Sequence, residues 1–164
     1  MLMDPKLVDL FQQQIKNEFE SAYIYLGMAA YFDASPYSGF ASWMHLQASE
    51  EIEHGMKFFK YLNERGHHIE LLPIARATTH YESPLAAFKK ALAHEQLVTS
   101  LINEMYRVAV ELKDYAAQIE LQWFIKEQVE EEEQVQQIID QLELVGDNMP
   151  GVLSIDRNAG KRKE

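Results

Sequence analysis

Hydrophobic residues recur at steps of three and four along most of the chain. This is the spacing of the buried face of an amphipathic helix. The pattern predicts four long helices and, after a break at Gly146–Gly151, a short fifth helix. The expected bounds are about 5–34, 39–65, 84–112, 115–145 and 150–159.

Residues at the expected helix ends and connections fit this division. Asp4 precedes Pro5, a pair that favours a helix start, and Gly66 favours the end of helix two. Residues 67–83 lack a helical period, and a connection of that length allows helices two and three to run parallel. The sequence therefore predicts one all-α domain over residues 1–164. It would be an up-down four-helix bundle with a long crossover between helices two and three, plus a short C-terminal fifth helix.

Each long helix carries a glutamate within its otherwise apolar stripe. The four are Glu18, Glu51, Glu95 and Glu131. A buried carboxylate is destabilising unless a counter-charge accompanies it. Taken singly, each acid is also compatible with a structural role, as a paired core residue or as a solvated residue at the edge of the stripe. Four at compatible depths can share one layer of a bundle, where their charge would balance two divalent cations. His54 lies three residues after Glu51 and projects from the same helical face.

Composition narrows the chemistry of such a site. The 164 residues contain no cysteine, which excludes thiolate zinc sites and iron–sulfur clusters. Carboxylates and histidines suit iron, manganese or magnesium. With 26 acidic and 15 basic residues the formal net charge is −11, which argues against nucleic acid and anionic membranes as partners. No signal peptide or transmembrane run is evident, so a cytoplasmic location is expected.

Four motifs together resemble the bacterial non-haem ferritins of the ferritin-like di-iron family. They are Asn17-Glu18 followed by Tyr25, Glu50-Glu51-x-x-His54, His94-Glu95-Gln96 and Glu127-Gln128-x-Glu130-Glu131. The resemblance implies an iron-storage ferritin with ferroxidase activity, which oxidises Fe²⁺ with dioxygen or peroxide. It also implies a homo-oligomeric shell of twenty-four subunits that stores ferric oxyhydroxide.

The resemblance also implies a set of iron ligands. Those of the first iron would be Glu18, Glu51 and His54. Those of the second would be a bridging Glu51 with Glu95 and Glu131, and with Gln128 beside them. Those of a third, peripheral iron would be Glu50, Glu127 and Glu130, with Glu131 shared. Tyr25 matches a tyrosine that members of the family use as an electron donor.

Two positions depart from related patterns. Helix four carries Gln128-x-x-Glu131 where bacterioferritins and many di-iron oxidases carry Glu-x-x-His. We therefore expect the second iron to bind weakly and leave easily. Ile52 stands where bacterioferritins present a methionine to haem, so no haem is expected.

Other functions share parts of this pattern. A di-iron oxidase or peroxidase without storage would have the same core ligands, although a Glu-x-x-His in helix four would be expected. A non-catalytic helical interaction protein could carry the acids as structural residues. Small DNA-protecting cages place their ligands between subunits, and the four acids within one subunit argue against them.

Overall fold

The computed structural model describes residues 2–163. Its five helices are α1 (Pro5–Asp33), α2 (Ser38–Glu64), α3 (Pro84–Glu111), α4 (Tyr115–Val145) and α5 (Met149–Ala159). No strand occurs within the described residues. None of the helices over that range is both long and apolar enough to cross a membrane.

Side-chain caps explain why most of these helices begin where they do. Asp4, Ser83, Asp114 and Asn148 each accept a hydrogen bond from a backbone N–H in the first turn of the following helix. Such a cap stabilises a helix by about 1 kcal/mol. Gly66 follows the end of α2 with φ of +82°, a conformation that glycine adopts without strain.

Aromatic contacts fix the directions of the first three helices. Phe11 in α1 packs on Phe58 near the end of α2, with ring centroids 5.7 Å apart. Phe32 near the end of α1 packs on Phe40 near the start of α2, at 5.3 Å. These two helices are therefore antiparallel. Phe88 near the start of α3 also packs on Phe40, at 5.1 Å, so α3 runs parallel to α2.

The connection between α2 and α3 runs back along α1. The Gln12 side chain donates a hydrogen bond to the His68 carbonyl oxygen at 2.7 Å. Further along, the Ala75 N–H donates to Glu20 at 2.9 Å. The crossover thus returns the chain to the end of the bundle where α2 begins.

The fourth helix completes the bundle. Phe124 in α4 stacks on Phe58 at 3.7 Å between ring centroids, so α4 starts beside the end of α2 and runs antiparallel to it. The predicted up-down four-helix bundle with a long crossover and a short fifth helix is confirmed.

The short fifth helix packs across the start of α2. Asp156 is buried and accepts a hydrogen bond from the Phe40 N–H at 2.8 Å. A Cβ on Gly39 would lie 1.7 Å from the Asp156 carbonyl oxygen, and a Cβ on Gly160 would lie 2.9 Å from the Gly39 Cα. This approach requires glycine at both positions, and it directs the chain after α5 toward the side of α2.

Candidate metal centre

The four stripe glutamates lie between two hydrophobic clusters. One cluster includes Phe11, Phe58 and Phe124, and the other includes Phe32 and Phe88. Along each long helix the chain passes from one cluster, through a glutamate, to the other. All four carboxylates are buried, with at most 2% of each residue exposed. The bundle therefore encloses one polar layer.

Ligand atoms in this layer form three groups, each spanning no more than 4.8 Å. The groups are Glu18 with Glu51 and His54, Glu51 with Glu95 and Glu131, and His54 with Glu127 and Glu131. Glu51 belongs to the first two groups, and both of those are wholly buried. Two adjoining cation positions that share Glu51 fit this arrangement.

Neutral amides hold the carboxylates in place. Gln14 donates to Glu18 at 2.8 Å. Gln47 donates to Glu51 at 2.9 Å and to Glu131 at 2.7 Å, so one amide links α2 and α4. Because these donors are uncharged, they orient the acids without cancelling their charge.

Glu95 is held by donors from two other helices. Its Oε1 accepts a hydrogen bond from the fully buried Tyr25 hydroxyl of α1. Its Oε2 accepts one from the Gln128 side-chain amide of α4 at 3.2 Å. The same amide lies 3.1 Å from the Thr99 hydroxyl. The amide nitrogen of Gln128 thus faces α3.

The pKa values of the layer record crowded negative charge. Burial, and then the charge of Glu51, raise the pKa of Glu18 and Glu131 well above the usual glutamate value. The same causes raise the pKa of Glu95 to about 8. Burial opposes ionisation of Glu51, but hydrogen bonding and charge from His54 prevail and lower its pKa. Burial alone would lower the pKa of His54. The hydrogen bond to Glu51 and the charge of Glu51 outweigh burial, so the pKa of His54 is raised.

One oxygen in the layer lacks any partner. The Oε2 atom of Glu18 is fully buried without a hydrogen bond. Such an atom is destabilising by about 1–3 kcal/mol unless a proton or a cation satisfies it. Together with three neighbouring acids, it makes the layer suited to hard divalent or trivalent cations.

The residues expected at a third site do not form a ligand group of their own. Glu127 is half-buried, with its Oε1 4.0 Å from His54 Nε2, and belongs to the third ligand group. Glu50 forms an ion pair with Arg162, at 2.5 Å between the carboxylate oxygen and the guanidinium nitrogen. Glu130 is exposed and joins none of the three groups. Burial, and then the charges of Glu130 and Glu50, raise the pKa of Glu127 against the opposing charge of His54, so the three carboxylates are neighbours without forming one ligand group.

Two further contributors to the site were not singled out from the sequence. Gln47 was visible only as a polar member of the α2 stripe, and its link to α4 depends on packing. Arg162 belongs to a segment that composition alone marks as a charged tail. No periodic signal in the sequence points from it toward α2.

Comparisons with known proteins agree with this architecture. The sequence model of the protein family described as the ferritin-like domain matches residues 8–145 of this chain. The chain is 40% identical over 147 residues to a bacterial non-haem ferritin of Staphylococcus haemolyticus, covering 90% of this chain and 89% of the relative. It is 35% identical over 161 residues to the bacterial non-haem ferritin of Staphylococcus aureus strain USA300, covering 98% and 97%.

Solved structures give the same result. An open-pore ferritin from the archaeon Archaeoglobus fulgidus superposes with a TM-score of 0.97 at 38% identity, covering 98% of this chain and 99% of that one. A humanised archaeal ferritin superposes with a TM-score of 0.96 at 40% identity, covering 98% of each. The buried carboxylate layer, the matching domain model and these relatives lead to one conclusion: the chain belongs to the ferritin family.

Proposed function

We propose that this protein is an iron-storage ferritin whose carboxylate layer oxidises Fe²⁺ before storage. Family membership supports a role in iron storage. The observation that carries the ferroxidase proposal is the shared position of Glu51 in two adjoining, wholly buried ligand groups. Two Fe²⁺ ions bound there as substrate would lie side by side. Each would give one electron, and dioxygen with two protons would become hydrogen peroxide, or peroxide with two protons would become two water molecules.

The ligand set favours oxidation of the bound ions. Anionic oxygen ligands stabilise Fe³⁺ more than Fe²⁺, because the electrostatic attraction grows with the charge of the ion. Glu18, Glu51 and His54 would bind the first ion. Glu95 and Glu131 would join Glu51 at the second.

The second ion is proposed to be the more loosely held. The amide nitrogen of Gln128 is directed at Glu95 and Thr99, and an amide is a weaker ligand than a carboxylate or an imidazole. Glu127 lies beside His54 at the rim of the layer. We propose that ferric product leaves by this rim, past Glu127 and then Glu50 and Glu130. Tyr25 is proposed to give one electron to the oxidant and its hydroxyl proton to Glu95, to which it donates a hydrogen bond.

Assembly into a hollow shell is the remaining part of the proposal. The outer faces of α1 and α2 carry exposed large apolar residues, among them Tyr23, Leu26, Ile52 and Met56, between 42% and 48% exposed. Exposed large apolar side chains that adjoin one another are typical of contact surfaces between proteins. A shell of twenty-four subunits, as the resemblance implies, would cover them and enclose the mineral.

Substitution of Glu51 tests the ferroxidase proposal. We expect Glu51→Gln to slow Fe²⁺ oxidation by more than about tenfold with the helical content unchanged, because one substitution weakens both ligand groups. The measurement is ferric absorbance after mixing with Fe²⁺ in air. Glu53→Gln is the matched control, since Glu53 lies on the same helix, is exposed and belongs to none of the three ligand groups. Equal rates in the two variants would contradict the proposal.

A further inference from the structure

Arg162 reaches the rim of the carboxylate layer from the C-terminal segment. Its guanidinium donates hydrogen bonds to the Glu50 carboxylate at 2.5 Å and to the side-chain amide oxygen Oε1 of Gln47 at 2.9 Å. It also lies over the Trp43 ring, 4.7 Å from the centroid. Only 14% of the Arg162 side chain is exposed. Three contacts to α2 thus hold one basic side chain that is distant in sequence.

The packing of α5 explains why Arg162 lies at this place. Asp156 and the paired Gly39 and Gly160 seat α5 on the start of α2, and Arg162 follows two residues later. Lys161 and Lys163, its neighbours, are exposed. The position of Arg162 is therefore specific to that residue and is not a property of the basic segment as a whole.

The contact with Gln47 connects Arg162 to the buried acids. The side chain of Gln47 has one acceptor and one amino group. Arg162 occupies the acceptor, so the amino group points inward to Glu51 and Glu131. Arg162 thereby selects the orientation of the amide that bridges α2 and α4.

We propose that Arg162 is a built-in counter-ion for Glu50 that a metal ion must displace in order to bind there. This inference rests on the proposed function, because it assumes that iron passes Glu50 on its way out of the layer. A guanidinium and a cation cannot both neutralise the same carboxylate at full strength. Binding of a cation at Glu50 therefore releases Arg162 from Glu50 and changes its contact with Trp43. Arg162 is a positioning residue that keeps this carboxylate from binding metal permanently and so favours transfer.

The test uses Zn²⁺, which has no redox chemistry, with the full-length protein. Equilibrium dialysis measures Zn²⁺ bound per subunit in the wild type, in Arg162→Gln and in Lys163→Gln. Lys163→Gln removes the same charge from an adjacent exposed position. The Glu50→Gln variant identifies which binding phase depends on Glu50. A parallel titration follows Trp43 emission in a Trp123→Phe background, since the chain has two tryptophans.

We expect Arg162→Gln to bind the Glu50-dependent Zn²⁺ about two- to fivefold more tightly than Lys163→Gln, the range set by the strength of a partly exposed ion pair. With Arg162 in place, Trp43 emission should change over the same Zn²⁺ range, and Glu50→Gln should abolish that change. Equal or weaker Zn²⁺ binding in Arg162→Gln would overturn this inference and leave the proposed function standing. So would a Trp43 emission that does not change as Zn²⁺ binds in the Glu50-dependent phase. A wild type that binds no Zn²⁺ would overturn the proposed function as well. If Arg162→Gln does not fold, the emission titration still decides.

Discussion

At the scale of single residues, Glu95 predicts how the metal-free protein responds to pH. Its pKa of about 8 in the folded state lies above the ordinary value of 4.5, so between these values the folded state holds more protons than the unfolded state. The raised pKa values of Glu18, Glu131 and His54 act in the same direction above their unfolded values. Stability should therefore fall as pH rises from 4.5 to about 8, and burial of His94, which lowers its pKa, opposes this fall only just below 6.5.

This expectation is checked by thermal midpoints across that pH range. The metal-free wild type should lose stability steadily, and Glu95→Gln should lose less, because the amide carries no ionisable proton. Adding Zn²⁺ should raise the midpoint most at high pH, since the cation replaces protons. A metal-free midpoint that stays level or rises toward pH 8 would mean that the buried acids are already ionised in the folded protein, where positive charges or hydrogen-bond donors within the protein stabilise them.

Residue identity alone was enough to locate the four acids, because each interrupts an apolar stripe. The four acids do lie in one buried layer, as their depths along the helices indicated, and their binding of metal stays a prediction. Arg162 could not be found in this way, since its contact with Glu50 depends on how α5 packs. The ion pair of Glu50 was equally hidden, because a motif gives spacing along one helix and not the partners that a side chain contacts.

At the scale of elements, α5 depends on the absence of a side chain at Gly39. The Gly39→Ala variant would place its Cβ 1.7 Å from the Asp156 carbonyl oxygen, so α5 must move away from α2. We expect faster proteolysis of the C-terminal segment and a loss of stability of about 1–3 kcal/mol by urea unfolding. Ser38→Ala is the matched control, because Ser38 is exposed and one residue earlier. Equal proteolysis of the two variants would show that α5 is not seated by this contact.

The existence of the helices follows from their apolar period, and their starts follow from Asp4, Ser83 and similar caps. The crossover was also predictable, because residues 67–83 are too long and too irregular for a tight turn. The docking of α5 was not, because the close approach of Gly39 and Gly160 joins positions far apart in the chain. Helical period says which face is buried and does not say against which partner.

At the scale of the whole molecule, the layer of acids destabilises the fold, and the binding of cations, as proposed, would offset that destabilisation. Two hydrophobic clusters could pack directly on one another, yet the bundle inserts four buried carboxylates between them. In a metal-free state burial, and then the charge of Glu51, raise the pKa values of Glu18, Glu95 and Glu131. Residues that destabilise the fold but are held in place by amides are typical of a site under functional constraint.

We propose that iron oxidised in this layer is stored in quantity. The most direct test is the amount of iron that each subunit retains after aerobic Fe²⁺ loading and gel filtration. We expect retention far above the few ions that the named carboxylates and His54 can bind, in a particle much larger than a dimer. Retention of about two ions per subunit in a small particle would instead indicate a di-iron enzyme, and the storage function would be wrong.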